Sequence, residues 1–145
     1  MANVSTASAQ WQGDLEHGFG TISLESSQVL TESPYNFKAR AEHSVSITTP
    51  EELLGAAHAA CFSMAFSMVL AQQGLKADSI DTTADVTFSV TSAGPAITSI
   101  HLTSHVNLAG LAEADFQRLA EQVKTTCPVS KALTGVAITL DASMN

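Results

Sequence analysis

A chain of 145 residues with 14 acidic side chains against six basic ones, a net −8, is long enough to bury its own core and too acidic for a phosphate-binding footprint. Only 14% of its residues are charged while 45% are hydrophobic, so little charge is available to cover a fully exposed surface, and burial in an oligomer is expected. The start, Met1-Ala2-Asn3-Val4-Ser5-Thr6, lacks the basic and apolar regions of a secretory signal, and no basic amphipathic stretch suits a membrane surface; a cytoplasmic setting is expected.

Ser8 to Gly13 and Gly18 to Glu25 read as two strands joined by a turn at Asp14 to His17, an N-terminal hairpin. Tyr35 to Glu42 alternates large and polar residues and reads as a third strand, with Phe37 and Ala39 on one side and Lys38 and Arg40 on the other. From Thr49 the pattern changes to a long helix that is apolar on nearly every face. Thr49 can cap it, Pro50 suits its first position, Glu52 completes a capping box and Gly74 ends it. A helix without a polar face must be covered on all sides, so it reads as the centre of the fold; Glu51, Glu52, His58 and Gln72 interrupt it too often for a membrane span. The small residues Gly55, Ala56, Ala57, Ala59 and Ala60 let other backbone approach closely, and Cys61 follows at that junction.

Ile80 to Val90 and Ile97 to Leu108 flank the turn residues Ser92 to Pro95 and predict a second hairpin. Ala112 to Thr126 carries Phe116, Leu119, Ala120 and Val123 at helical spacing. Pro128 stops this helix and opens a shorter one to Leu133, and Val136 to Ala142 closes the chain as a strand. The order βββ-α-ββ-α-α-β, without repeat or linker, predicts one α+β domain over residues 1–145 with mostly antiparallel sheets.

Two cysteines stand out. Cys127 precedes Pro128 and so takes the cap position of the short helix, where backbone N–H groups favour an anion; local electrostatics make it the better candidate for a low-pKa thiol. Cys61 reads either as small, inert filler in an alanine-rich helix or as a nucleophile. His58 lies one turn before Cys61 on the same face, which leaves three readings open. It is a hydrogen-bonded core residue, half of a Cys-His pair for acyl transfer, or a metal ligand with Cys61 and Cys127 in a binding module that turns nothing over. Arg40 and Glu51 have ordinary readings as a solvated cation and a first-turn acid, but an arginine brought to a cysteine would steady its thiolate, and a carboxylate could orient that arginine. His101 and His105 share a strand face and read as a solvated edge; His17 and His43 lie in loops.

The stretch Thr49-Pro50-Glu51-Glu52-Leu53-Leu54-Gly55-Ala56-Ala57-His58-Ala59-Ala60-Cys61-Phe62-Ser63-Met64-Ala65, together with Cys127-Pro128-Val129-Ser130-Lys131, resembles the osmotically inducible protein C and organic hydroperoxide resistance family. The resemblance extends to Trp11-Gln12-Gly13-Asp14, Pro34 to Arg40 and Ser79 to Val86, and so over essentially the whole chain. It implies an intertwined homodimer whose long central helices pack against two curved sheets. The implied activity is a thiol-dependent peroxidase that reduces organic hydroperoxides, and hydrogen peroxide more weakly, in stress defence. By that resemblance Cys61 is the peroxidatic cysteine and Cys127 the resolving one, the reverse of the electrostatic expectation. Arg40 and Glu51 match the arginine and acid of the osmotically inducible branch, which the absence of any arginine before Arg40 also favours. The resemblance implies no cofactor or metal, and an external dithiol reductant, with a lipoyl-type dithiol as the candidate. Phe62, Met64 and Phe66 are expected in the core, with a substrate pocket as their other place.

Overall fold

Asp14 begins the fold by closing a turn: its carboxylate accepts the His17 backbone N–H at 2.8 Å, and Gly13 takes a φ of +89°, which favours glycine. The turn folds β1 (Ser8–Gln12) against β2 (Phe19–Ser23), antiparallel, and β3 (Ser33–Tyr35) adds to the other side of β2. Tyr35 lies opposite Gly20, where a β-carbon would collide with the tyrosine ring and the Gln10 carbonyl; the missing side chain lets Tyr35 meet Trp11, ring centroids 5.4 Å apart. The computed structural model describes residues 2–42 and 44–145, so the expectation for His43 lies outside the described residues. It divides into two compact units, Met1–Pro50 and Glu51–Asn145.

The predicted third strand ends early. After Tyr35 the chain forms a short helix, α1 (Phe37–Ala41), because the Asn36 side chain accepts the Ala39 N–H at 2.7 Å and caps it. Alanine, lysine and arginine are good helix formers, and over five residues the strand and helix periods are hard to tell apart. The correction matters for the site: on a helix Phe37 and Arg40 share a side, whereas strand parity would have separated them.

The second unit is built on α2 (Pro50–Gln72), whose buried residues recur as Glu51, Gly55, His58, Phe62, Ala65 and Val69, one stripe along one face. Its sheet has the order β4-β5-β6, formed by β4 (Ser79–Thr91), β5 (Gly94–Asn107) and β6 (Ala137–Met144). The hairpin of β4 and β5 is antiparallel, with the turn tightened to Ser92-Ala93 and Gly94 at a φ of +110°. β6 pairs with β5 in parallel, which requires a crossover, supplied by α3 (Glu113–Thr126) and α4 (Pro128–Ala132). Between the six strands the expected antiparallel character therefore holds for every pairing but this last one; the isolated bridge of Tyr35 to Thr48 is also parallel.

Phe62 and Phe66 of α2 pack edge to face, Phe66 stacks on Phe116 of α3 at 5.6 Å, and Ile100, Leu102 and Val106 of β5 complete a core closed to solvent. Gly55 does what its size suggested: a β-carbon there would stand 2.9 Å from the Ala84 carbonyl of β4, so glycine sets how closely α2 approaches the sheet. A hydroxyl chain crosses the same interface, from Ser63 to Thr82 at 2.9 Å and from Thr82 to the buried Ser104 at 3.0 Å. The opposite face of α2, with Ala56, Ala57, Ala60, Met64 and Met68, is exposed, so within one chain this helix is covered on one side only. His101 and His105 stand on the central strand, not an edge, with hydrogen bonds across to Thr139 and Ser143 of β6.

Candidate active site

Cys61 sits in the middle of α2, and the crossover returns Cys127 to it. Cys127 ends α3 and begins α4, the chain bending there because Pro128 cannot continue a helix. Both cysteines are free and neighbours in space; Cys127 is fully buried and Cys61 half-buried. The Val129 backbone N–H, from the first turn of α4, faces the Cys61 thiol and favours its thiolate. Burial pushes the Cys61 thiol above its ordinary pKa, the Val129 N–H pulls the other way, and the neighbouring Cys127 thiol adds to the rise.

The N–H groups at the start of α4 do favour an anion, but the one that reaches sulfur serves Cys61; Cys127 makes no side-chain cap bond and points into the core. A cap residue is identified from sequence position, whereas the recipient of its N–H groups is decided by what packs across them.

His58, one turn before Cys61 on α2, is completely buried, and its Nε2 lies 2.7 Å from the Ser130 Oγ of α4. Burial alone lowers its pKa and keeps the ring neutral. For the metal reading, Nε2 of His58 is engaged by Ser130, and among the described residues no group of three or more His, Cys, Asp or Glu side chains could hold an ion. For the acyl-transfer reading, the hydrogen bond that His58 makes is to Ser130, and among the described residues none joins it to Cys61.

Arg40 belongs to the first unit, where it lines a cleft of about 330 Å³ with Trp11, Leu15, Tyr35 and Phe37. Glu51 belongs to the second unit, buried in the first turn of α2. Phe62 and Phe66 lie in the core as expected, whereas Met64 is exposed in the single chain; the cleft that Arg40 lines takes its aromatic walls from Trp11, Tyr35 and Phe37. Val129 and Ser130 were missed. Both lie in the quoted Cys127-Pro128-Val129-Ser130-Lys131 run, and Ser130, three residues after Cys127, was the available signal.

The family model described as OsmC-like protein matches residues 42–141. The chain belongs to the OsmC-like family. It is 49% identical over 133 residues to Peroxiredoxin OsmC of Escherichia coli, covering 92% of this chain and 91% of that protein. Among solved structures, OhrB of Bacillus subtilis, an organic hydroperoxide resistance protein, is similar with a TM-score of 0.67 at 27% identity, covering 95% of this chain and 98% of that one. An organic hydroperoxide resistance protein from Elizabethkingia anophelis matches over 100% of both chains with a TM-score of 0.78; at 24% identity it speaks for the fold alone. The α+β class read from the order of elements, and the two sheets implied by the resemblance, match the architecture of these solved structures.

Proposed function

We propose that this OsmC-like chain is a cysteine-based peroxidase that reduces organic hydroperoxides, with Cys61 as the attacking thiol and Cys127 as the resolving one. The observation that carries the assignment is the asymmetry of the thiol pair: Cys61 is half-open and receives the Val129 N–H, while Cys127 stands against it, fully buried. The Cys61 thiolate attacks one peroxide oxygen, the O–O bond breaks, and the departing alkoxide takes a proton to leave as an alcohol, giving Cys61 sulfenic acid. The Cys127 sulfur displaces hydroxide from that sulfenic acid, releasing water and leaving a Cys61–Cys127 disulfide. An external dithiol then returns both thiols, a lipoyl-type dithiol being our candidate; the cytoplasm, where thiols are kept reduced, suits such a cycle.

The thiolate needs help, because burial and the Cys127 thiol both favour the neutral form of Cys61. We assign that help to Arg40, whose guanidinium would offset charge on the thiolate and on the leaving oxygen, with Glu51 orienting its fork. The aromatic cleft that Arg40 lines supports a preference for organic over hydrogen peroxide. A homodimer is supported by the open apolar face of α2, where Met64 is 67% and Met68 58% exposed in the single chain; a monomeric mass in light scattering would remove it.

Intact-mass measurement after one equivalent of cumene hydroperoxide tests the reading. The wild type is expected to lose two hydrogens, Cys127→Ser to gain one oxygen, and Cys61→Ser to remain unchanged. An unchanged wild-type mass, or peroxide turnover by Cys61→Ser with a dithiol, would sink it.

A further inference from the structure

We propose that His58 and Ser130 are positioning residues that hold α4 against α2 and thereby set where Cys127 and the Val129 N–H stand relative to Cys61. The inference rests on the reading of Cys61 and Cys127 as the redox pair. α4 has five residues, too few to be a stable helix in its own right, and it follows the break in the chain at Pro128. Its first turn is nonetheless one body: the Cys127 carbonyl accepts the Lys131 N–H at 2.9 Å, so Cys127, Val129 and Ser130 move together. His58 and Cys61 are likewise fixed to each other, three residues apart on the rigid α2. The 2.7 Å contact between His58 Nε2 and Ser130 Oγ joins these two bodies, three residues before Cys61 on one and three after Cys127 on the other.

Stability alone is a poor account of this pair. Both side chains are buried, at 0% and 5% exposure, and His58 Nδ1 has no hydrogen-bond partner among the described residues. A buried, half-satisfied imidazole costs free energy that an apolar side chain of similar shape would not. What the polar pair adds is direction: apolar surfaces slide over one another, whereas a short hydrogen bond fixes distance and register. Disulfide closure needs that, because the Cys127 sulfur must approach the Cys61 sulfur opposite the departing hydroxide, and small misplacements cost rate by about two orders of magnitude.

The test removes and restores the bond without touching either cysteine. Ser130→Ala deletes one oxygen; His58→Leu deletes both ring nitrogens; His58→Gln places an amide near the position of Nε2 and restores a partner for Ser130. Each folded protein is treated with diamide, which takes two electrons and two protons from the thiol pair to become a hydrazine derivative, and closure is followed as a two-hydrogen mass loss. The pH dependence of Cys61 alkylation is measured in parallel. Ser130→Ala and His58→Leu should slow closure by about tenfold or more and move the alkylation midpoint upward, as Val129 leaves the thiolate, while His58→Gln stays nearer wild type. Wild-type closure and an unmoved midpoint in Ser130→Ala or His58→Leu would overturn the proposal. Neither measurement uses a peroxide, so a wild type inert to hydroperoxide would refute the peroxidase reading and leave the effect on closure visible.

Discussion

The two units of the chain are stabilised in different ways. In Glu51–Asn145 the apolar stripes of α2, β5 and α3 meet in one core, which includes Cys127 and packs against Cys61. Among the described residues of Met1–Pro50 the buried apolar side chain is Ala39, while Leu15, Phe19, Val29 and Val45 are exposed, at 60%, 58%, 79% and 95%. That unit is held by strand pairing, the Asp14 and Asn36 side-chain caps and the Trp11–Tyr35 contact. The half that fixes sulfur geometry is thus rigid by packing, and the half that carries Arg40 and the aromatic cleft has few buried contacts to resist local opening.

The sharpest challenge to this contrast is Phe66→Ala, which cuts the centre of the second unit's core and should cost about 3–5 kcal/mol in urea unfolding. A loss below about 1 kcal/mol would mean the core is not the rigid platform described here. Next in size is Arg40→Ala, which should slow oxidation of Cys61 by about a hundredfold, equivalent to about 2.7 kcal/mol, and raise the pH at which the thiol becomes alkylated. An unmoved pH profile would confine Arg40 to the cleft wall.

A smaller effect follows from His58. Its folded pKa is lowered by burial below the ordinary 6.5, so below that pH the unfolded chain binds a proton that the folded chain resists. Stability should be full above pH 6.5 and fall as the pH drops from there toward the lowered folded value; urea midpoints at descending pH should show this, and His58→Gln should remove that part of the slope. The smallest effect is expected from Phe19→Ala, within about 0.5 kcal/mol if Phe19 is as exposed in solution as in the single chain. A loss of several kcal/mol, with a dimeric mass in light scattering, would mean that a second copy covers the first unit, and the contrast would then belong to the isolated chain.

Much of the fold was legible from the sequence because much of it is set by local periodicity. The stripe of Phe116, Leu119, Ala120 and Val123 predicted both the helix α3 and its buried face, and the alternation in Ile80 to Val90 and Ile97 to Leu108 predicted the hairpin of β4 and β5. Tyr35 to Glu42 failed because its segment is short enough to satisfy two periods, and one side-chain cap, Asn36 to Ala39, decided between them. The parallel pairing of β6 escaped because strand direction depends on where the crossover of α3 and α4 delivers the chain.

The site divides along the same line. By itself the sequence determined the chemistry available: two cysteines, one in a helix of small residues and one before a proline, in motifs that identify their family. Only the tertiary structure decided which sulfur receives the α4 N–H, that His58 answers to Ser130, and that Cys127 is the buried partner. The physical reason is that a helix cap or a buried histidine is a local feature whose effect falls on whatever packs against it, and the packing partners here lie far apart in the chain.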